Sequence, residues 1–325
     1  MAKFCVTIIQ LNSWKLCLMR ITQKVQKILS YYETDNPGTK ANLAKILMNG
    51  RVGGSGKLVI LAMDQGFEHG PDRSFSPYVP AYDPHYPYKL AIDAGLSAYA
   101  GPLGWLEAGA GTFFGQIPTI LKINSSNSLI SNDNVPDQAI TASVNDALRL
   151  GCSAIGFTIY PGSDASLEQF EELRDLSAQA KEAGLGVIVW SYPRGNLSKN
   201  GERAIDVISY GAHMAALLGA HIIKVKLPTD HLENSEIRKS FEINAIAIKT
   251  MQERVQVVVR SCFNGRRMVI FSGMEMKDAN EIVNDAKVIA SGGGFGSIIG
   301  RNCFQRPYDE ALSMLQSVID VYQNS

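Results

Sequence analysis

Eight short apolar runs recur along the chain, at residues 58–63, 97–101, 119–123, 154–160, 187–192, 221–227, 268–272 and 296–300. They are nearly continuous in apolar residues instead of alternating with polar ones, as strands buried on both faces are. Stretches with helical spacing separate most of them. The clearest follows the fourth run, where Leu167, Phe170, Leu173, Leu176 and Ala180 recur at helical intervals. Ser166 and Gln169 form a capping box at its start, and Gly184 ends it. Further helical patterns cover 88–94, 137–150, 203–218, 240–262 and 278–290. Alternating strands and helices predict a parallel α/β sheet. Eight repeats without a linker-like break predict closure into a TIM (β/α)8 barrel. An open doubly wound sheet is the alternative. Its dinucleotide fingerprint is missing, because the glycines from Gly292 to Gly296 precede a strand.

The repeat predicts one catalytic domain over 41–325, preceded by a short helical extension over 1–40. Within the extension, Ile21, Val25, Ile28 and Leu29 mark a helix over 20–32, and Asn36-Pro37-Gly38-Thr39 reads as a turn. Leu43, Ile46 and Leu47 mark a second short helix stopped by Asn49-Gly50. The run from Phe4 to Ile9 resembles a weak signal peptide, but Gln10, Asn12 and Lys15 break it and no small-residue cleavage site follows. Met19 is an alternative start to Met1, and residues 1–18 are set aside. Gly53-Gly54-Ser55-Gly56-Lys57 is not a phosphate-binding loop. The first glycine of that motif would fall at Arg51, Leu58 replaces the magnesium-binding hydroxyl, and the glycines precede a strand.

Lysine plus arginine equals aspartate plus glutamate at 31 each, so there is no global field to attract nucleic acid or an anionic membrane. No apolar run approaches the ~20 residues of a membrane span. Five cysteines are scattered without a CxxC pair, which argues against a disulfide framework and for a reducing, cytoplasmic compartment. His69, His85, His213, His221 and His231 lie in different elements without HExxH or HxH spacing, so metal chemistry is not the expectation.

The chemistry gathers where a barrel places it, at the C-terminal ends of strands. The sixth run carries Lys224 and Lys226 in an apolar matrix of Ile222, Ile223, Val225 and Leu227, and strand alternation puts both lysines on one face. Burial and like charge make such amines easier to deprotonate, and a neutral amine attacks a carbonyl to form a Schiff base. The plainer reading is a strand end whose lysines reach water. Other strand ends supply Asp64, Lys122, Tyr160, Trp190 and Arg194. Singly, Asp64-Gln65-Gly66 reads as a turn, Tyr160 as a core aromatic and Lys122 as a partner for Asp64. Ser272-Gly273 and Gly300-Arg301 close the seventh and eighth runs, where barrels bind phosphate. Jointly these residues fit one mechanism.

Four segments complete the pattern: Met63-Asp64-Gln65-Gly66-Phe67-Glu68-His69-Gly70-Pro71, Ile159-Tyr160-Pro161-Gly162-Ser163, Val189-Trp190-Ser191-Tyr192-Pro193-Arg194-Gly195 and Ile223-Lys224-Val225-Lys226, followed by Ile299-Gly300-Arg301-Asn302. In order, from about residue 40 to 322, the chain resembles the archaeal-type class I fructose-bisphosphate aldolases. The resemblance implies a TIM barrel in which Lys224 forms the Schiff base, Tyr160 transfers protons and Asp64 assists at the carbinolamine stage. It implies phosphate on Ser272, Gly273, Gly300 and Arg301, with Lys122, Gly162 and Trp190 lining the site. Lys226 joins the substrate-binding set as the neighbour that helps keep Lys224 neutral. The resemblance implies no metal or other cofactor, a sugar-phosphate substrate, and a homo-oligomer of decameric size. Two positions depart from the pattern: Gln65 stands where many relatives carry histidine, and Met274 where a second glycine follows Gly273. Relatives of the same barrel set the alternatives: a lysine-dependent sugar-phosphate synthase resembling 2-amino-3,7-dideoxy-D-threo-hept-6-ulosonate synthase, and a thiolase acting on a phosphorylated signal. A phosphosugar-binding protein without turnover is the non-enzymatic alternative.

Overall fold

The computed structural model describes residues 21–130, 134–273 and 276–325. Residues 1–18, Met19 and Met274, each the subject of an expectation above, lie outside them.

All eight apolar runs are strands: β1 Leu58–Ala62, β2 Ala98–Pro102, β3 Thr119–Lys122, β4 Ala154–Ile159, β5 Gly186–Ser191, β6 Ile222–Lys226, β7 Met268–Ser272 and β8 Gly296–Ile299. Every neighbouring pair is parallel, and β8 returns to pair with β1, so the sheet closes into a barrel. The fold is the (β/α)8 barrel.

The strands read as continuously apolar because each face meets a different core. Val59, Leu61, Ile155, Phe157, Val187, Val189, Ile223 and Val225 pack outward under the helices. Leu58, Ile60, Ala98, Ile120, Ala154, Ile188, Trp190, Ile222 and Ile270 belong to a separate inner cluster. The inner cluster also contains Val25, Ile28 and Leu29 of α1 (Gln23–Leu29) and Leu43, Ile46 and Leu47 of α2 (Pro37–Met48). The two N-terminal helices therefore plug the end of the barrel at which the strands begin. The division at residue 40 falls inside α2.

Several local expectations are corrected. Asn36 to Thr39 is not a free turn but the start of α2: the Asn36 side chain accepts the Thr39 N–H, and Pro37 occupies the first helical turn. The helix over 166–182 is capped at Ala165 without a side-chain bond, so there is no capping box, and Gln169 is buried and used elsewhere. The pattern over 137–150 is helical only from Val144 to Arg149, where Ser143 and Asp146 form a capping box. Ala139–Ile140 instead pairs with Asn124–Ser125 as a small antiparallel ribbon at the barrel mouth. The pattern over 240–262 splits into Ser235–Ile243 and Met251–Ser261, because Ala245 takes a left-handed φ of 49° and Thr250 caps a new helix. The helices Leu103–Phe113 and Tyr308–Gln323 carried no expectation. The glycine stretch before Lys57 is a turn, with Lys57 Nζ donating to the Gly294 carbonyl at 2.8 Å.

Candidate active site

Strand parity puts the even-numbered positions of β6 inside the barrel, so Ile222 lies at the bottom, Lys224 above it and Lys226 at the rim. Lys224 is only 4% exposed. Its register partner on β5 is Trp190, and Trp190 in turn pairs with Thr158 on β4. The indole fills the centre of the barrel because Gly156 leaves room for it: a Cβ on Gly156 would stand 2.4 Å from the ring. Lys224 Nζ lies 5.1 Å from the Trp190 ring centroid, and Lys122 Nζ lies 5.9 Å from it. One aromatic ring thus has two amines near it, which its quadrupole attracts.

Lys122 does not pair with Asp64 as one reading had it. Its ammonium donates to the Asn124 carbonyl, to Asn124 Oδ1 at 2.8 Å and to Gln138 Oε1 at 3.5 Å. Burial pushes its pKa down to about 8; Asp64 and Glu68 act against that shift, and Lys224 adds to it. Lys226 shares the Tyr192 ring with Lys224, each Nζ standing 5.4 Å from the centroid. Burial, then Arg194, lowers the Lys226 pKa, and its nearest carboxylate is Glu202 at 3.9 Å.

Above Lys224 opens a cavity of about 370 Å³. Asp64 and Gln65 from the end of β1, Tyr192 from β5, Lys224 and Lys226 from β6, and Arg301 from β8 all line it. Ser272, Gly273 and Gly300 line the same space, so the four residues expected to hold phosphate face the lysine. Tyr192 Oη lies 3.4 Å from Ser272 Oγ, which ties the tyrosine to that end. The Gln65 amide packs against Gly300, where a Cβ would come within 2.4 Å of Nε2. Its Oε1 is buried with no hydrogen-bond partner among the described residues.

Four expected site residues do not line this cavity: Lys122 and Trp190 stand beside Lys224, both amines near the Trp190 ring, and Tyr160 and Gly162 lie elsewhere. Tyr160 does not line the cavity containing Lys224. It extends from β4, which is not a neighbour of β6, and its hydroxyl takes a hydrogen bond from Gln138 Nε2 at 2.5 Å. Arg194 stacks on its ring at 5.0 Å, and Gln169 Oε1 accepts its backbone N–H. Burial pushes the hydroxyl pKa up to about 12, Glu68 reinforces the shift, and Arg194 opposes it. Gly162 is exposed and serves the loops: at φ 96° its carbonyl accepts the Asn196 N–H, and a Cβ would stand 2.9 Å from the Arg194 carbonyl.

Other residues were not singled out by sequence. Tyr192 is one, although its spacing of two from Trp190 on the same strand signals a shared face. Gln138, joining Lys122 to Tyr160, gave no signal because it comes from a loop. Glu68 lies 3.3 Å from Arg194 and lines both the main cavity and an adjoining cleft of about 280 Å³. That cleft also contains Tyr160, and His69, Arg73 and Arg194 belong to both spaces. Burial lowers the His69 pKa; Glu68 opposes this, and Arg301, Arg73 and Arg194 add to it. No group of three or more histidine, cysteine, aspartate or glutamate side chains among the described residues is arranged to hold a metal ion. A larger cavity, about 420 Å³, lies against α2 near Lys45, Met48 and Phe113, away from all of these groups.

The DeoC/LacD family aldolases match residues 58–306. A probable fructose-bisphosphate aldolase class 1 of Chlamydia muridarum is 34% identical over 301 residues, covering 86% of this chain and 83% of that protein. The fructose-bisphosphate aldolase class 1 of Thermoproteus tenax is 34% identical over 252 residues, covering 77% and 84% respectively. Among solved structures, an archaeal fructose-1,6-bisphosphate aldolase with its catalytic lysine bound to the carbinolamine intermediate superposes with a TM-score of 0.71. It is 29% identical and covers 87% of this chain and 99% of its own.

Proposed function

This chain belongs to the DeoC/LacD aldolase family and to its class I fructose-bisphosphate aldolases, and on that premise we propose that it cleaves fructose 1,6-bisphosphate reversibly through a Schiff base on Lys224. The observation that carries the assignment is a buried inward-facing amine sharing one cavity with a carboxylate, a tyrosine hydroxyl and a phosphate-type lining.

The sequence of steps follows from these groups. The Lys224 amine attacks the C2 ketone and forms a carbinolamine. Asp64 assists the proton transfers that expel water and leave an iminium ion. Tyr192 takes the proton of the C4 hydroxyl, the C3–C4 bond breaks, and its electrons pass to the iminium, forming an enamine. Glyceraldehyde 3-phosphate leaves. A proton returns to C3, and water hydrolyses the resulting iminium to dihydroxyacetone phosphate and free Lys224. The iminium is the electron sink, so the chemistry calls on no metal.

The proton-transfer role expected for Tyr160 passes in this reading to Tyr192, on two grounds. Tyr192 shares the cavity with Lys224, and its strand pairs directly with the lysine strand. Tyr160 then belongs to the adjoining cleft, on the distal side of the substrate. Ser272, Gly273, Gly300 and Arg301 hold the phosphate nearer the lysine, and Arg73 and Arg194 face the second one. Lys122, Trp190 and Lys226 shape and charge the space between, contributing position more than bond chemistry.

We further read the enzyme as a cytoplasmic homo-oligomer of glycolysis and gluconeogenesis, with a decamer as the size the resemblance implies. Three of its cysteines, Cys152, Cys262 and Cys303, are buried free thiols, in keeping with a reducing compartment. No helix among the described residues is long and apolar enough to cross a membrane. A coupled assay across fructose 1,6-bisphosphate, sugar-phosphate synthase substrates and phosphorylated-signal substrates tests the assignment. Fructose 1,6-bisphosphate should give the highest kcat/KM, and Lys224→Met should abolish it. A higher kcat/KM on one of the others would overturn the substrate.

A further inference from the structure

At the end of the barrel opposite Lys224, the turn joining α1 to α2 leaves a cavity of about 210 Å³ against the strand starts. Tyr32, Asp35, Lys181, His221 and Arg267 line it. The Arg267 guanidinium is held between two rings, its carbon 5.0 Å from the Tyr32 centroid and 5.2 Å from that of Phe263. Nη1 donates to the carbonyls of Tyr31 and Arg266. Nε is buried and has no hydrogen-bond partner among the described residues. The stacked plane therefore keeps its orientation, and Nη2, which makes no hydrogen bond among the described residues and is not closed off as Nε is, is the donor left to the cavity. Such a nitrogen donates a charge-assisted hydrogen bond to an anion oxygen. On the other wall the Lys181 ammonium lies over Gly219, where a Cβ would come within 2.6 Å of Nζ.

Among the described residues neither cation has a carboxylate oxygen within 4.0 Å, although Asp35 attracts both. Asp35, the carboxylate of the cavity interior, takes a hydrogen bond from His221 Nε2 at 2.6 Å. His221 Nδ1 accepts the Val187 N–H at 2.8 Å, so its proton sits on Nε2 and the ring is neutral. The interior thus holds two cations against one committed carboxylate, with Glu33 on the exposed rim.

We propose that this cavity is a second anion site, separate from the catalytic one, that binds a small phosphate-bearing molecule. Arg267 Nη2 takes one phosphate oxygen and Lys181 another, and two separated cations suit a tetrahedral dianion better than a singly charged carboxylate. The site lies where His221 leads into β6, three residues before Lys224.

Isothermal titration of inorganic phosphate into the full-length protein tests this, using Arg301→Gln to weaken the catalytic phosphate site. Arg301→Gln should still bind one phosphate per chain. Adding Arg267→Gln should weaken that binding at least tenfold, and adding Lys181→Met should weaken it several-fold. Among the described residues the Lys181 ammonium makes no hydrogen bond or ion pair, so its variant keeps the test valid if Arg267→Gln fails to fold. Phosphate binding in Arg301→Gln that neither second substitution changes would overturn the proposal. Affinity weaker than roughly 10 mM would mark an adventitious ion only, and would overturn it too.

Discussion

Tyr160 and Tyr192 each precede a proline at the end of an inward-facing strand register, and only their neighbours tell them apart. β5 is bonded to β6 in a register that sets Trp190 beside Lys224, whereas β4 lies one strand further away. Sequence shows that both are strand-end tyrosines, but the order of strands around the barrel is a tertiary fact. The consequence is a paired prediction. Tyr192→Phe should lower kcat for cleavage by about 10²- to 10⁴-fold, the usual worth of a positioned acid–base group. Tyr160→Phe should cost less than roughly tenfold, since that hydroxyl acts through Gln138 and the distal cleft. Steady-state kinetics of the two variants decides between them, and the reverse ranking would return the role to Tyr160. Lys224, Asp64 and the residues proposed to hold phosphate were legible because their types are unusual at the ends of apolar strands. Lys122 was legible as a site residue but not in its partners, because Asn124 of the mouth ribbon and Gln138 from the loop just before the ribbon's second strand reach it.

Lys122 also carries a pH prediction. Its pKa falls from 10.5 to about 8 on folding, so between those values the unfolded chain binds more protons than the folded one. Stability should therefore rise with pH from about 8 to 10.5, by on the order of 1–3 kcal/mol from this group. Below pH 8 that contribution is lost. Urea unfolding at several pH values should show the rise in the native protein and its loss in Lys122→Met. An identical slope in both would contradict the assignment.

Among elements, the barrel strands were plain in the sequence and the irregular ones were not. A strand buried on both faces leaves an unbroken apolar run. The pattern over 240–262 also looked continuous, but a left-handed residue and a capping box divide it, and neither disturbs hydrophobic spacing. The N-terminal helices read as an extension because they precede the repeat. Their apolar residues nevertheless form the floor of the inner core, with Leu43 and Ile46 fully buried. Leu43→Ala should cost about 2–5 kcal/mol, the range for a buried leucine whose surroundings cannot collapse. Chemical denaturation measures it, and kcat of the folded variant should stay close to native. A loss below roughly 1 kcal/mol would mean that the helices contribute little to the barrel.

For the whole molecule, one rule of parity connects sequence to function. Even positions of β6 face the inner core, so the strand that begins with Ile222 on the floor must present Lys224 to the cavity above. The floor is apolar and closed by α1 and α2, and the mouth is polar and lined by groups from β1, β5, β6, β7 and β8. The central claim is that Lys224 alone forms the covalent intermediate, and borohydride trapping tests it most directly. The protein is incubated with dihydroxyacetone phosphate, reduced, digested and mapped by peptide mass. The adduct should sit on Lys224, persist in Tyr192→Phe and vanish in Lys224→Met. An adduct on Lys122 or Lys226, or none in the native protein, would contradict the account.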